Sequence, residues 1–132
     1  MRANKAKKYL LAVDDEEDLK FLFEHFFSDQ VCSGELNLEF CATAKECLDK
    51  LKVISGEIVV LSDICMPDVS GIDLLKTISE KYPSVKVFLV SAYDEDKYLE
   101  DMKKYGAQGY ISKPLEFDSL KDTVLRILDI TH

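Results

Sequence analysis

The chain reads as an α/β protein of five βα units, a parallel sheet with helices on both faces. Three observations lead there. Short, continuous apolar runs recur along the sequence, which is how strands buried on both faces are written. Each run is followed by apolar residues at helical spacing. The 132 residues, 47% of them hydrophobic, are enough for one domain spanning the chain, with a single core. Each right-handed crossover returns the chain to the same strand direction, so the alternation implies parallel pairing.

The first run, Tyr9 to Val13, is strand one, and after an acidic turn Leu19, Leu22, Phe23, Phe26 and Phe27 form the buried stripe of helix one. Leu36 to Cys41 alternates as a less buried strand. Thr43 with Glu46 then makes a capping box for a helix whose inner face is Ala44, Cys47, Leu48 and Leu51. Ile58 to Leu61 is a fully apolar third strand, and Ser70 with Asp73 caps a helix burying Gly71, Leu74, Leu75 and Ile78, which Pro83 closes. Val85 to Val90 is the fourth strand. Asp94 to Tyr105 is a weaker amphipathic helix ended by Gly106. Gly109 to Ile111 is a short last strand, and Phe117, Leu120, Val124, Ile127 and Leu128 mark the closing helix, which bounds the core at about residues 9 to 128.

Composition excludes several functions. A net charge of −8 would repel phosphate backbones and anionic lipid, so neither direct nucleic-acid binding nor membrane association is expected. No apolar run reaches the roughly 18 residues that span a bilayer, and the basic opening Met1 to Lys8 is not followed by a signal-peptide core, which points to the cytoplasm. Cys32, Cys41, Cys47 and Cys65 lack C-x-x-C spacing and read as reduced structural thiols.

Polar chemistry collects at the C-terminal ends of the strands, where ligands of such sheets bind. Asp14 and Asp15 follow strand one, Asp63 strand three, Ser91 strand four and Lys113 strand five. Carboxylates gathered on one rim repel by roughly 4 kcal/mol per pair at 4 Å and an effective dielectric of 20 unless a cation lies between them. Oxygen donors without a His or Cys cluster favour Mg²⁺. A carboxylate nucleophile, a metal ion and a lysine can together hold a transferring phosphoryl group and neutralise its oxygens, with the Ser91 hydroxyl as a further donor. Glu16, Glu17 and Asp18 continue the acidic turn and suit a helix N-terminus.

Asp14-Asp15, the stretch Ser62 to Pro67 with Gly71 beyond, Ser91-Ala92 and Tyr110 to Pro114 stand in an order and spacing that resembles the receiver domains of two-component response regulators, over about Tyr9 to Leu128. The resemblance implies a flavodoxin-like, doubly wound three-layer sandwich with strand order 2-1-3-4-5. It makes Asp63 the phosphoacceptor, with Mg²⁺, or Mn²⁺ in its place, ligated by Asp15, Asp63 and the backbone carbonyl of Cys65, and by Asp14 through a water. Lys113 would pair with Asp63 at rest and with phosphoryl oxygens afterwards, and the Lys113-Pro114 bond would be cis. Ser91 and Tyr110 would be the switch, the hydroxyl moving onto the phosphoryl group and the ring swinging inward. Cys65 and Tyr93 would set the lifetime of the acylphosphate. The donor would be a histidine kinase or a histidine phosphotransfer protein, and the output a further domain or a partner protein. Phe21 and His25 fall off the buried stripe of helix one, where relatives dock their phosphodonor.

Three other functions compete. A phosphatase of the haloacid dehalogenase type needs a second Asp where Cys65 stands. A flavodoxin-like cofactor binder needs a small-residue phosphate loop where the chain carries five acids, Asp14 to Asp18. A receiver that is never phosphorylated would act only as a protein-binding module, and the full set of site residues speaks against it.

Overall fold

The computed structural model describes residues 7–66, 68–91 and 98–130. Five parallel strands, β1 (Lys8–Val13), β2 (Asn37–Cys41), β3 (Glu57–Asp63), β4 (Lys86–Ser91) and β5 (Gly109–Ser112), form one sheet in the order β2-β1-β3-β4-β5. That is the order the resemblance implied. The helices are α1 (Glu17–Phe26), α2 (Ser28–Cys32), α3 (Ala44–Val53), α4 (Gly71–Lys81), α5 (Leu99–Lys104) and α6 (Phe117–Ile127).

Successive strand residues point to opposite faces, and each face has its own core. Leu11, Val13, Val60 and Leu89 pack with Cys47 and Leu51 of α3, Leu74 and Ile78 of α4 and Met102 of α5. Leu10, Ala12, Val59, Leu61 and Phe88 pack with Phe23 of α1 and with Leu120, Val124 and Leu125 of α6. The contact between α1 and α6 is aromatic: the Phe117 ring lies edge-on to Phe23 at 5.1 Å and stacks on Phe26 at 4.9 Å.

Caps form where the spacing placed them. Thr43 Oγ1 accepts from the Glu46 N–H at 3.1 Å, Glu46 Oε1 accepts from the Ala42 N–H at 3.0 Å, and Ser70 Oγ accepts from the Asp73 N–H at 3.2 Å. The Lys113-Pro114 peptide is cis.

Two expectations need correction. Leu22, assigned to the buried stripe of helix one, is 41% exposed. At about 100° per residue it sits a quarter-turn from Phe23, and the buried line runs through Phe23 and Phe27 instead. The short helix α2 was not foreseen. Phe27 leaves helical geometry at φ −104°, ψ 13°, the helix resumes from Ser28, and Gly34 ends the segment at φ 84°. Five residues are too few to show a period. The helix expected from Asp94 is described only from residue 98 onward, with Tyr98 as the N-cap of α5, and Tyr93 lies outside the described residues.

Candidate functional site

The topology itself creates the crevice. From β1 the chain crosses over to β2 on one side, and from β2 it returns past β1 to β3 on the other, so the loops after β1 and β3 diverge. Val13 is in register with Ser62 across these two strands. Asp14 and Asp63, each one residue further along, therefore come level at the rim.

Three carboxylates meet there: Asp14, Asp15 and Asp63 each offer an oxygen within 4.8 Å of the others. Lys113, one residue past β5, crosses over them. Its ammonium donates to Asp14 Oδ2 at 3.0 Å, to Asp63 Oδ2 at 3.2 Å and to Glu16 Oε1 at 3.2 Å. The remaining oxygens of Asp14 and Asp63 take backbone donors, Asp14 Oδ1 from the Glu16 N–H at 2.9 Å and Asp63 Oδ1 from the Cys65 N–H at 3.3 Å. Glu16 was expected only to suit the helix start. Its reach to Lys113 depends on a side-chain rotamer that residue spacing does not reveal.

Burial works on these charges. It pushes the Asp14 carboxyl above the usual carboxylate range, as does the nearby Asp63 charge, and the Glu16 N–H and Lys113 only partly oppose the rise. Burial alone would lower Lys113. Its hydrogen bonds to Asp14 and Asp63 and their charges outweigh that, so the ammonium is held beyond the ordinary lysine range. The cluster remains short of positive charge: four carboxylates face one ammonium, a formal balance of −3.

The donor set fits a hard divalent cation. An octahedral ion at about 2.1 Å from each ligand spaces its oxygens by roughly 3 to 4 Å, so these acids need only a slight contraction or one intervening water.

Ser91 is buried at the end of β4, and its carbonyl accepts from both the Lys113 N–H at 3.0 Å and the Tyr110 hydroxyl at 3.3 Å. Tyr110 is half-buried against the α3–α4 side of the sheet. The Cys65 side chain is exposed at the same rim. Phe21, 68% exposed, and the exposed His25 lie one helical turn apart on the outer face of α1. One residue near the site escaped sequence reasoning entirely: Asp68 carries its carboxylate to the start of α3, where Oδ1 accepts from the Ala44 N–H at 3.2 Å and Oδ2 from the Lys45 N–H at 3.1 Å.

No described helix is long and apolar enough to cross a membrane. The DNA-binding transcriptional regulator NtrC of Proteus hauseri is 32% identical over 122 residues, 91% of this chain, and the chain spans 24% of that regulator's length. A CheY-like response regulator receiver domain protein from Methanospirillum hungatei JF-1 superposes with a TM-score of 0.82 at 27% identity, over 94% of this chain and 95% of that one. TrrA of Thermotoga maritima, solved in complex with Mg²⁺-BeF, superposes with a TM-score of 0.74 at 28% identity, over 91% and 98% of the two chains. Residues 10–125 match the response regulator receiver domain family, and with this topology and this acid rim the chain belongs to that family.

Proposed function

We propose that in this receiver domain, a signalling phosphoacceptor, Asp63 is the residue that takes the phosphoryl group and that Asp14, Asp15, Asp63 and the Cys65 carbonyl hold the Mg²⁺ that assists it. One observation carries the proposal. Asp63 lies at the rim within reach of two further carboxylates and 3.2 Å from the Lys113 ammonium, which is the charge arrangement a transferring phosphoryl group requires. The Mg²⁺-BeF complex of TrrA supports the same cation. Mn²⁺ would suit the same oxygen donors.

In the transfer, an Asp63 carboxylate oxygen bonds to phosphorus while the P–N bond to the donor imidazole breaks, and the imidazole nitrogen keeps the electron pair. Lys113 neutralises one developing negative oxygen, and the Ser91 hydroxyl donates to another. Mg²⁺, when bound, would supply further Lewis-acid neutralisation of the phosphoryl charge. Lys113 then exchanges its bond to Asp63 for one to the phosphoryl group. The Ser91 carbonyl, shared by Lys113 and Tyr110, gives Tyr110 a physical route to sense that exchange. Cys65 and Tyr93 stand two residues after Asp63 and Ser91, where side-chain bulk would govern access of the hydrolytic water. The domain catalyses only its own phosphorylation and dephosphorylation.

The phosphodonor is a histidine kinase or histidine phosphotransfer protein docking on the α1 face that carries Phe21 and His25. The signal passes to an output domain or partner protein, and the acidic domain, acting in the cytoplasm, does not itself bind nucleic acid. Intact mass measured after treatment with acetyl phosphate tests the central assignment. The expected result is one phosphoryl adduct that requires Mg²⁺, is lost at alkaline pH and is absent from Asp63→Asn. An adduct that persists in Asp63→Asn would refute it.

A further inference from the structure

The turn between β2 and α3 contributes no side chain to the acid cluster, yet both acid-bearing loops are tied to it. The Asp14 N–H donates to the Cys41 carbonyl at 2.9 Å. Asp68, five residues past Asp63, sets its two carboxylate oxygens on the first two N–H groups of α3, those of Ala44 and Lys45. A helix cannot satisfy these donors internally, and the capping box of α3 leaves them free, since Thr43 takes the Glu46 N–H and Glu46 takes the Ala42 N–H. Asp68 is thus the only described side chain hydrogen-bonded to them. A carboxylate there also gains from the positive end of the helix dipole.

The root of the same loop is anchored elsewhere. The Ile64 N–H donates to the Val90 carbonyl at 3.0 Å, and the Gly71 N–H donates to the Ile64 carbonyl at 2.8 Å. The backbone that carries Asp63 and Cys65 is therefore held by β4 and α4 on one side and through Asp68 by α3 on the other.

We propose that Asp68 is a positioning residue for cation binding: its two-point attachment to α3 holds the Asp63-Cys65 backbone at the spacing from Asp14 and Asp15 that a divalent ion requires. The inference rests on the acid cluster being a Mg²⁺ site. Asp68 does not touch the ion. It acts by fixing, before the ion arrives, a loop that would otherwise have to be ordered at the expense of binding energy.

The test is calorimetric titration of the metal-free full chain with Mg²⁺, no phosphodonor present, in about 0.5 M KCl so that the Debye length of roughly 4 Å screens the charge of Asp68 itself. Asp68→Ala should raise the Mg²⁺ Kd about ten-fold, the lower end of what removing a supporting shell around a metal site does. Asp68→Asn keeps one oxygen acceptor for one N–H and should fall between wild type and Asp68→Ala. Thr43→Ala removes another cap of the same helix end, and its Kd should stay within about two-fold of wild type while its Tm falls. Hydrogen exchange at the Ala44, Lys45 and Cys65 amides should quicken in metal-free Asp68→Ala and by less in metal-free Asp68→Asn, where one of the two α3 donors keeps its acceptor.

Wild type that binds no Mg²⁺ would sink the metal site itself. Wild type that binds while Asp68→Ala binds equally well would overturn the positioning role alone. Equal weakening in Thr43→Ala would reduce the effect to helix stability, and equal weakening in Asp68→Asn and Asp68→Ala would reduce it to charge. Either result also overturns the proposal.

Discussion

Lys113→Met keeps most of the side-chain stem and removes the ammonium from the acid rim. In the metal-free protein that ammonium lies 3.0 Å from Asp14 and 3.2 Å from Asp63. At an effective dielectric of 20, each attraction is worth about 5 kcal/mol before desolvation. Glu16, 61% exposed, adds at most about 0.5 kcal/mol. Removing one partner of a buried pair generally costs about 3 to 5 kcal/mol. Here the pair is near the surface and Asp14 can relieve itself by taking a proton, so a loss of about 2 to 3 kcal/mol is expected at pH 7.5 in EDTA. At about 2.1 cal/mol/K per residue, that is a Tm roughly 7 to 11 °C lower. With no Trp in the chain, circular dichroism is the readout.

The pH dependence of this loss follows from Asp14. Its folded pKa is raised, so its contribution to stability is fully present below the unfolded carboxylate range and is lost as pH rises through the folded value. Without Lys113 that acid-side gain grows, and the deficit of the variant should shrink on acidification. Lys113, also raised in the fold, keeps its stabilising charge through neutral and mildly alkaline pH and loses it only above the ordinary lysine range. Losing the ammonium also removes a positive charge that competes with a cation for the rim, so at a fixed Mg²⁺ concentration the variant should gain more stability than wild type and the gap should narrow. A variant as stable as wild type in EDTA at pH 7.5, or a deficit that widens on acidification, would refute the electrostatic account.

Gly71→Ala would place a Cβ 2.4 Å from the Asp63 carbonyl oxygen and 2.9 Å from Ile64 Cα. Both are backbone atoms that cannot swing aside, so a loss of about 2 to 3 kcal/mol is expected together with weaker Mg²⁺ binding; an unchanged denaturation midpoint would contradict it. Phe21→Ala removes an exposed ring and should change stability by less than about 0.5 kcal/mol. It should slow phosphotransfer from a histidine donor but not from acetyl phosphate, and equal rates from the histidine donor would remove Phe21 from the docking face. Iodoacetamide should label exposed Cys32 and Cys65 and spare buried Cys41 and Cys47. The Cys47 thiol is pushed up by its hydrogen bond to Cys41 and by burial. Early labelling of Cys41 or Cys47, read by peptide mass, would show that the α3 side of the core opens.

What was legible in the sequence is what side-chain type dictates. Apolar runs such as Leu10 to Val13 must be buried, and acids at strand ends in a doubly wound sheet must converge, so the sheet and the acid rim could be read directly. The strand order came with the resemblance. The failures have a common physical source. Leu22 is apolar and lies at the edge of the right stripe, but the true line of burial was set by where Phe23 stacked on Phe27 and met Phe117 of α6. α2 exists because Phe27 steps out of helical geometry, a local backbone choice with no periodic trace. Glu16 reaches Lys113 through a rotamer.

Asp68 is the most instructive case, because its partners are the N–H groups of Ala44 and Lys45. Every residue but proline carries such a donor, so no residue type at those positions advertises the bond. The same holds for the Cys41 carbonyl that takes the Asp14 N–H and for the Ser91 carbonyl shared by Lys113 and Tyr110. The chemistry of the rim is thus written in side chains, while its geometry is held largely by main-chain groups of neighbouring units. A substitution that preserves every acid but shifts the backbone, as at Gly71, should then disable the site as thoroughly as loss of an acid. The βα unit with no reactive residue of its own, β2–α3, is bonded to the two loops that carry the acids.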